Sequence, residues 1–319
     1  MSQSQAMTYG RVAGLDQPVS RLVQGCTGIS SARAEETFAL LDGVYALGCN
    51  AFDTAHVYGG GDSERILGRW INERGLRDKV VVIDKGAHHS GDRNRTTPCD
   101  ITVDLMDNLA RLKTDYVDLW LLHRDDPGVP VGPIVETLNE HKAAGRIRAF
   151  GGSNWSARRI AEANEYADAH GLTGFAASSP NLSLAVALDV PWNGCVSITG
   201  VAGADDRRWY AESQLPVFSW SSLAGGFCTG RFTRDNVAAM TEGFDQRLCE
   251  CYASEENFAR LDWASRVAAE TGMEISQIAL AWVFGQGLNV FALTACQTPE
   301  EMAHNIRALH LALPDDAPG

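Results

Sequence analysis

A single (β/α)8 barrel preceded by a β-hairpin is the fold that the sequence predicts. Strand-like apolar runs alternate with helical segments about eight times, with no low-complexity linker between them. The polar residues that end four of the strands, Asp53, Lys85, His123 and Ser153, lie 32, 38 and 30 residues apart. One strand and one helix together need about that length. A chain of 319 residues built from such units favours one barrel over two domains.

The competing fold, a doubly wound sheet that binds a dinucleotide, would require a glycine fingerprint. Gly59, Gly60 and Gly61 follow a strand and open a helix, but Glu64 stands where the third glycine of the fingerprint belongs. No phosphate loop with Gly-Lys-Ser or Gly-Lys-Thr is present either. We therefore predict one domain, residues 1–319, with flexible termini at about 1–6 and 314–319.

Short runs of β-branched, aromatic and other apolar residues, ended by glycine or polar positions, predict the strands. Residues 8–11 and 17–20, joined through Gly14, form a hairpin before the main fold. The predicted barrel strands are residues 21–24, 50–53, 80–85, 117–123, 147–150, 174–178, 216–220 and 289–293.

Apolar residues spaced three or four positions apart predict the helices. Gly48, Gly75 and Gly145 follow three of them, and Pro133 stands in the first turn of another. The predicted helices are residues 35–47, 63–73, 99–112, 133–144, 157–169, 255–270, 276–284 and 299–309.

The composition is that of an ordinary folded chain and disfavours two classes of partner. Apolar residues make up 45% and charged residues 21% of the sequence, which is enough apolar surface for a large core. The net charge of -13 and the pI near 5.0 disfavour nucleic acid, which requires clustered Lys and Arg. The first residues lack a basic, apolar leader, and no apolar run approaches the ~18 residues of a membrane helix. We therefore expect a cytoplasmic protein that binds no membrane.

No metal site is expected. The eight cysteines are scattered, so reduced thiols are the simpler interpretation. Cys249 and Cys251 form a close pair, but no second Cys or His pair follows at zinc-ligand spacing. His88 and His89 precede the polar residues 90–92, and we expect an exposed loop there.

Four ionisable side chains stand at or near the ends of successive strands. Asp53, Lys85 and His123 end three strands, and Tyr58 follows Asp53 by five residues. Because the carboxyl ends of parallel barrel strands meet at one face, we expect these side chains to share one pocket. Each residue alone has an ordinary explanation, such as a strand cap or a core histidine. Their joint position at successive strand ends favours a catalytic site.

Five motifs in chain order resemble those of the aldo-keto reductases. They are residues 52–59 (FDTAHVYG), 85–86 (KG), 121–123 (LLH), 152–155 (GSNW) and 223–226 (LAGG). The resemblance extends from the hairpin to the last helix. It implies a (β/α)8 barrel that binds a nicotinamide nucleotide, NADP(H) or NAD(H), without a Rossmann domain. It also implies a catalytic tetrad, matched here by Asp53, Tyr58, Lys85 and His123.

The chemistry that the resemblance implies requires residues of these types. Hydride transfer from a dihydronicotinamide to a carbonyl carbon leaves negative charge on oxygen, which then needs a proton. Tyr58 would be the general acid/base, Lys85 would lower the pKa of its phenol, and Asp53 would hold Lys85. His123 would donate a hydrogen bond that orients the substrate oxygen. We expect an oxidoreductase acting on an aldehyde, a ketone, a sugar-like compound or the matching alcohol.

The resemblance also implies cofactor contacts on several loops. Ser153 and Asn154 match the pair that hydrogen-bonds the nicotinamide carboxamide. Residues 178–181 (SSPN) depart from the family pattern, which usually has a glutamine there, so Ser178 and Asn181 are both candidates for a cofactor contact. Glycines in the loop 220–226 let backbone N–H groups approach phosphate, as expected of the pyrophosphate loop. The candidates in and after that loop are Trp220, Ser221, Ser222, Leu223, Gly225 and Arg231.

The sequence leaves the choice between NADP(H) and NAD(H) open. In NADP-using relatives, the stretch after the last strand supplies Lys or Arg to the 2'-phosphate, whereas residues 294–301 contain neither. Glu301 stands there and would repel a phosphate while accepting hydrogen bonds from a ribose diol. Gln297 and Asn305 are further candidates, and Asn305 matches the adenine contact. Arg231 or Arg307 could compensate for the missing cation.

The substrate and two alternative functions remain open. Candidate pocket walls are His56, Trp155, Trp192 and Phe227, because aromatic residues near strand ends pack against rings and sugar faces. A nucleotide-binding barrel with vestigial chemistry, acting as a sensing or regulatory subunit, is one alternative, and the complete tetrad counts against it. A metal-dependent hydrolase or isomerase is the other, and the shortage of strand-end ligands counts against it. The oligomeric state and the direction of the reaction are not predicted.

Overall fold

Eight parallel strands close into a barrel in the computed structural model, which describes residues 6–319. An antiparallel hairpin of β1 (Tyr9–Gly10) and β2 (Val19–Ser20) precedes the barrel. The barrel strands are β3 (Leu22–Gly25), β4 (Ala51–Asp53), β5 (Val81–Gly86), β6 (Val117–Leu122), β7 (Ile147–Ser153), β8 (Ala177–Ser179), β9 (Val217–Ser219) and β10 (Val290–Thr294). Neighbours along the chain pair with each other, and β10 pairs with β3. The predicted (β/α)8 barrel with its hairpin is confirmed.

The predicted helices all form, with ends shifted by no more than a few residues. The helices of the described chain are α1 (Ala34–Ala46), α2 (Asp62–Arg74), α3 (Pro98–Leu112), α4 (Val131–Ala143), α5 (Ala157–His170), α6 (Ala204–Ser213), α7 (Gly243–Tyr252), α8 (Glu255–Thr271), α9 (Ile275–Phe284) and α10 (Pro299–Ile306). The sequence did not predict α6 or α7, because α6 buries Tyr210 alone and α7 buries little more than its last turn. No helix within residues 6–319 is long and apolar enough to cross a membrane.

Side chains alternate between two hydrophobic layers along each barrel strand. In β5, Val81 and Ile83 belong to the inner core of the barrel, whereas Val82 packs in the layer between barrel and helices. The same alternation directs Lys85, two residues after Ile83, into the barrel at the carboxyl end of the strand. The position of this charged side chain therefore follows from the period of two.

The same alternation positions polar residues at the ends of two other strands, β4 and β6. Ala51 and Leu121 face the inner core, and Asp53 and His123 each follow two residues later. A slip of one residue would turn each polar side chain toward the helices instead. The regular alternation thus gathers polar side chains at one mouth of the barrel.

The hairpin covers the opposite mouth. Val12 and Val19 join the inner core. The side-chain amide of Gln17 donates to the carbonyl of Val80 at the start of β5 (3.1 Å), and the backbone N–H of Ser20 donates to Asn50 just before β4 (2.8 Å). A ligand of the barrel is therefore expected at the carboxyl ends of the strands.

The carboxyl-terminal residues pack against α8 and α9. The Trp282 indole N–H donates to the carbonyl of Pro318 (2.6 Å), and Arg260 donates to that of Gly319 (2.7 Å). These contacts do not measure motion, so the flexibility of residues 314–319 stays a prediction. Most of the other terminus that is predicted to be flexible, residues 1–5, lies outside the described residues.

Candidate active site

A buried ion pair lies at the centre of the candidate site. The Lys85 ammonium is 2.6 Å from each carboxylate oxygen of Asp53, on the neighbouring strand, and it also donates to the carbonyl of Thr54 (2.9 Å). Both charged side chains are no more than 4% exposed. Burial alone would lower the pKa of Lys85, but Asp53 and Tyr58 outweigh it, and the pKa is raised. Lys85 is therefore a fixed cation at neutral pH.

Tyr58 reaches this pair from the loop after β4. Its hydroxyl lies 3.5 Å from the Lys85 ammonium. Gly59, Gly60 and Gly61 follow with φ angles of 56°, 61° and 88°, in the left-handed region where a side chain would strain the backbone. This turn lets α2 begin at residue 62, directly after the phenol has been placed over the barrel.

His123 completes the cluster on the far side of the phenol. The rings of Tyr58 and His123 meet edge to face, with centroids 5.7 Å apart. Burial, with Lys85 and Arg124 nearby, lowers the pKa of His123 well below its ordinary value. The imidazole is therefore neutral at pH 7, and one of its nitrogens carries a hydrogen that can be donated.

Two opposing effects act on the pKa of Tyr58. Burial raises it above its ordinary value; Lys85 lowers it, as predicted, and Asp53 raises it further. Because burial outweighs Lys85, the net direction is upward, and the phenol is less acidic than an ordinary tyrosine in the protein alone. The free energy lost when the phenolate is removed from water exceeds the free energy gained from its attraction to the Lys85 ammonium at 3.5 Å.

The four side chains open into a cavity of about 920 Å³ at the carboxyl ends of the strands. Asp53, Tyr58, Lys85 and His123 all line it, so the structure brings the predicted tetrad together. We call Asp53, Lys85, His123 and the adjoining Ser153 the strand-end wall of the cavity. These groups provide a fixed cation, a protonated phenol and a neutral imidazole around one space.

Two histidines that the sequence analysis assigned to an exposed loop also line the cavity. His88 is packed edge to face against His123, with ring centroids 4.8 Å apart, and His89 lies against His88. Burial lowers the pKa of His88. The exposed-loop prediction is confirmed for residues 90–92 and is wrong for His88 and His89, which are half-buried at the cavity. No local pattern in this stretch indicates that the two histidines lie over the barrel mouth.

Ser153 of the strand-end wall and its neighbour Asn154 both line the cavity. The Ser153 hydroxyl donates to the carbonyl of Ser179 (3.1 Å). The Asn154 amide donates to the carbonyl of His123 (3.2 Å) and accepts from the Trp220 indole N–H (3.1 Å). Asn154 has a left-handed φ of 59°, a conformation that is uncommon outside glycine. Its amide therefore ties the ends of β6 and β9 together at the cavity.

The loop after β9 lines another part of the cavity with strained backbone. Ser221 and Ala224 have φ angles of 48° and 52°, and Gly225 follows with 65°. Left-handed residues other than glycine concentrate at sites that bind ligands. The predicted cofactor residues of this loop that line the cavity are Trp220, Ser221, Ser222, Leu223 and Gly225.

A third part of the lining comes from the segment around the start of α10. Ala295, Cys296, Glu301 and Asn305 line the cavity there, and we call them the α10 wall. Glu301 accepts a hydrogen bond from the backbone N–H of Gln297 (2.7 Å), and its other carboxylate oxygen makes no hydrogen bond within the described residues. No Lys or Arg of the described chain contributes to this wall.

Four predicted cofactor residues do not line the cavity. Side chains alternate along β8, and since Ala177 faces the inner core, Ser178 faces the helices. Its hydroxyl shares a hydrogen bond with Tyr210 of α6 (2.7 Å). Arg231 forms a two-pronged ion pair with Asp245 of α7 (2.6 and 2.8 Å).

The other two are held by nearby groups. Asn181 donates to the carbonyl of Trp220 (3.1 Å) and accepts from Ser197 (2.8 Å). The Gln297 amide donates to the carbonyl of Ala295 (3.0 Å). The Asn181 side chain is buried, whereas that of Gln297 is exposed. Neither lines the cavity, and their roles in cofactor binding stay predictions.

Three of the four predicted pocket walls lie elsewhere. Trp155 and Phe227 are fully buried in the layer between barrel and helices. His56 faces α3, where its ring is 3.1 Å from Asp107. Trp192 does line the cavity, and it stacks on Phe244, a lining residue of the unpredicted helix α7. The aromatic wall was therefore only partly predictable.

Within residues 6–319, no group of three or more His, Cys, Asp or Glu side chains is arranged to hold a metal ion. The carboxylates around the tetrad explain this finding. Asp53 is held by Lys85, and Glu64 is held by Arg111 (2.7 Å). The polar groups that line the cavity suit an organic ligand with several hydrogen-bonding groups.

Comparison with known proteins agrees with this geometry. Residues 22–317 match the model of the aldo/keto reductase family. Norsolorinic acid reductase from Emericella nidulans is 29% identical over 88% of this chain and 70% of its own length. A probable voltage-gated potassium channel subunit beta from Oryza sativa subsp. japonica is 28% identical over 95% of this chain and 91% of its own length. The relatives therefore include both a reductase and a channel subunit.

A solved structure supports the fold. An aldo-keto reductase from Klebsiella pneumoniae, crystallised in complex with NADPH, has a TM-score of 0.72 and 24% sequence identity. The match covers 98% of this chain and 92% of that protein. At this identity the likeness concerns the architecture, and the NADPH belongs to the other protein.

Proposed function

The chain belongs to the aldo/keto reductase family, and we propose that it is an NAD(P)(H)-dependent oxidoreductase that interconverts a carbonyl compound and an alcohol. One observation carries the proposal. The Tyr58 hydroxyl lies 3.5 Å from an ammonium that is itself fixed by Asp53 at 2.6 Å, and both open into one cavity. This arrangement supplies a proton donor whose conjugate base is stabilised by a buried cation.

The residues around the cavity fit a nicotinamide nucleotide. A volume of about 920 Å³ is within the range of cofactor sites. Asn154 and Ser153 offer amide and hydroxyl groups beside the tetrad, and the left-handed residues of the loop 220–226 suit a pyrophosphate. Asn305 of the α10 wall would hold the adenine. The bound cofactor would supply or accept the hydride.

The protein groups would act on the oxygen of the substrate. In the reducing direction, His123 donates a hydrogen bond to the carbonyl oxygen and directs it toward Tyr58. As charge develops on that oxygen, the Tyr58 hydroxyl gives up its proton, and Lys85 stabilises the phenolate that remains. Asp53 keeps the Lys85 ammonium in place. In the oxidising direction, the Tyr58 phenolate removes the proton of the alcohol.

We propose that the protein binds NADH at least as tightly as NADPH. A 2'-phosphate near the α10 wall would meet Glu301 and no Lys or Arg. Arg231 is engaged by Asp245, and the Arg307 guanidinium lies against the sulfur of Met273 (3.1 Å). Fluorescence titration with NADH and NADPH at one ionic strength tests the proposal. A strong NADPH preference that persists in Glu301→Ala would contradict it.

Turnover of reduced cofactor tests the proposed reaction. Purified protein should consume NADH or NADPH, followed by absorbance, with at least one member of a panel of aldehydes, ketones and keto sugars. The same protein should reduce the oxidised cofactor with a matching alcohol. Tight cofactor binding without turnover across the panel would contradict the proposal and favour the second candidate.

The second candidate is a nucleotide-binding subunit with vestigial chemistry. The similarity to a probable potassium channel subunit beta favours it, since that relative matches over 95% of this chain. The complete tetrad counts against it, because a binding role alone gives no reason for Lys85 to be buried beside a phenol. The turnover assay separates the two candidates directly.

A further inference from the structure

The guanidinium of Arg124 is buried beside the tetrad without a counter-ion. The residue is 6% exposed. Its hydrogen bond within the described chain runs from Nη1 to the carbonyl of His123 (2.9 Å), and its Nε is buried without a partner. Within residues 6–319, Arg124 forms no ion pair with a carboxylate. A buried cation without a partner is costly, so this arrangement requires an explanation.

The other arginines that are at least nine-tenths buried show what is usual in this protein. Arg159 is 9% exposed and pairs with Asp125 and Glu162, each at 3.3 Å. Arg260 is also 9% exposed and pairs with Glu256 at 3.1 Å. Arg124 differs from both, although it is buried more deeply than either.

The position of Arg124 indicates where its counter-ion would come from. Arg124 lines the main cavity, and it also lines a second cavity of about 530 Å³. His89 and Asn193 line both cavities as well, so the two cavities adjoin at these three residues. The carboxylate of Asp125 in the second cavity is already held by Arg159. A molecule that reaches from Tyr58 toward the second cavity would pass Arg124.

We infer that Arg124 binds the carboxylate of an anionic substrate, so that the enzyme favours carbonyl compounds that carry a carboxylate group. The inference rests on the proposed function. In the reaction, the carbonyl carbon takes a hydride from the reduced nicotinamide and its oxygen takes the Tyr58 proton, which gives an alcohol. The carboxylate is unchanged and serves for binding only. A guanidinium matches it because its planar fork can donate two parallel hydrogen bonds.

Matched substrates test this inference. The measured quantity is the ratio of kcat/KM for 4-formylbenzoate to kcat/KM for its neutral methyl ester, together with the same ratio for the 3-formyl isomers. The ratio is compared among the wild-type protein, Arg124→Met and Arg124→Lys. Arg93→Met is the control, since Arg93 lines the second cavity but is paired with Asp100 (2.6 Å). Comparing ratios between proteins removes the intrinsic difference in reactivity between acid and ester.

The wild-type protein should prefer the carboxylate of at least one isomer by about tenfold. Arg124→Met should lower that ratio about 30-fold or more, because truncation leaves a desolvated anion unpaired. Arg124→Lys should lie between the two, and Arg93→Met should keep the wild-type ratio. If Arg124→Met does not fold, Arg124→Gln is used in its place, because it replaces the charged guanidinium with a neutral amide. The acid-to-ester ratio of kcat/KM should then fall in the same way.

Two results would overturn the inference. One is a wild-type protein that shows no preference for the carboxylate of either isomer. The other is a loss in Arg124→Met that is equal for acid and ester, which would mean that the guanidinium merely holds the end of β6 through the His123 carbonyl. Reduction of the ester by the wild-type protein would leave the proposed function intact in both cases. Failure to reduce any acid or ester would count against the inference and the proposed function together.

Discussion

The strand-end wall and the α10 wall line the same cavity but are built in opposite ways. Asp53 and Lys85 of the strand-end wall are no more than 4% exposed and are held by one another at 2.6 Å. Glu301 of the α10 wall is exposed and is held through one backbone N–H. The first wall fixes charges in a dry environment, where they act strongly on a reacting oxygen. The second leaves a single carboxylate in water, where it can select a cofactor but cannot drive chemistry.

Removing the Tyr58 hydroxyl, which lies beside the strand-end wall, should have the largest effect on turnover. Tyr58→Phe is expected to lower kcat about a thousandfold, because proton donation contributes roughly 10²–10⁴ in rate. The dissociation constant of the cofactor should stay within about threefold of the wild-type value. Steady-state kinetics and fluorescence titration measure both. Tyr166→Phe is the control and should behave like the wild-type protein, because Tyr166 does not line the cavity and its hydroxyl donates to Glu136 of α4 (2.6 Å). Near-normal turnover of Tyr58→Phe would remove Tyr58 from the mechanism.

Breaking the buried ion pair tests whether the strand-end wall is as rigid as the distances indicate. Lys85→Met leaves Asp53 buried without a partner and should lower the free energy of unfolding by about 3–5 kcal/mol. The double variant Asp53→Asn with Lys85→Met should recover part of that loss, since no charge is left unpaired. Urea unfolding measures both. A double variant that is less stable than Lys85→Met would show that the pair is not coupled as described.

The dependence of the rates on pH should report Tyr58, which lies beside the strand-end wall, and His123, which belongs to it. Because burial raises the pKa of Tyr58, the acid stays protonated through neutral pH, and reduction should fall only above the ordinary phenol value of roughly 10. Oxidation requires the phenolate, so its rate should rise about tenfold per pH unit below that point. His123, whose pKa is lowered, should cause no inflection near roughly 6.5. A fall in kcat/KM for reduction between about pH 7 and pH 9 would contradict this assignment.

Changing the α10 wall should have the smallest effect and should leave catalysis intact. Glu301→Arg places a cation where the 2'-phosphate is expected and should strengthen NADPH binding by about tenfold, from one charge-assisted hydrogen bond. NADH binding should change much less. Glu300→Arg is the control, because Glu300 is exposed and does not line the cavity. Equal gains in both variants would indicate a general effect of charge and would place the phosphate elsewhere.

The strand-end wall was largely predictable because two short-range rules determine it. Alternation along the strand directs Lys85 inward, and parallel pairing brings its carboxyl end beside that of Asp53. The same rule explains a failure, since Ser178 is one residue out of phase with Ala177, which faces the inner core. The boundary of β8, at Ala177–Ser179, was therefore the detail that decided this assignment.

The rest of the site depends on contacts between distant segments, which sequence patterns do not record. Arg231 is held away from the cavity by an ion pair with Asp245, which lies on a helix that the sequence did not predict. Trp155 is in the core, where its ring packs against Phe175, a residue between α5 and β8 (centroids 5.1 Å apart). The missing counter-ion of Arg124 could be recognised only from the complete set of neighbours.

Following the hydrogen that leaves nicotinamide C4 is the most direct test of the proposed hydride transfer with Tyr58 as proton donor. Reduced cofactor carrying deuterium at both positions of nicotinamide C4 is mixed with an aldehyde and the wild-type protein in ordinary water, and the alcohol is examined by mass spectrometry. The account predicts one deuterium on the carbinol carbon, a slower single turnover than with unlabelled cofactor, and no such product from Tyr58→Phe on the same timescale. An alcohol without deuterium on carbon, or labelled alcohol formed equally fast by Tyr58→Phe, would contradict it.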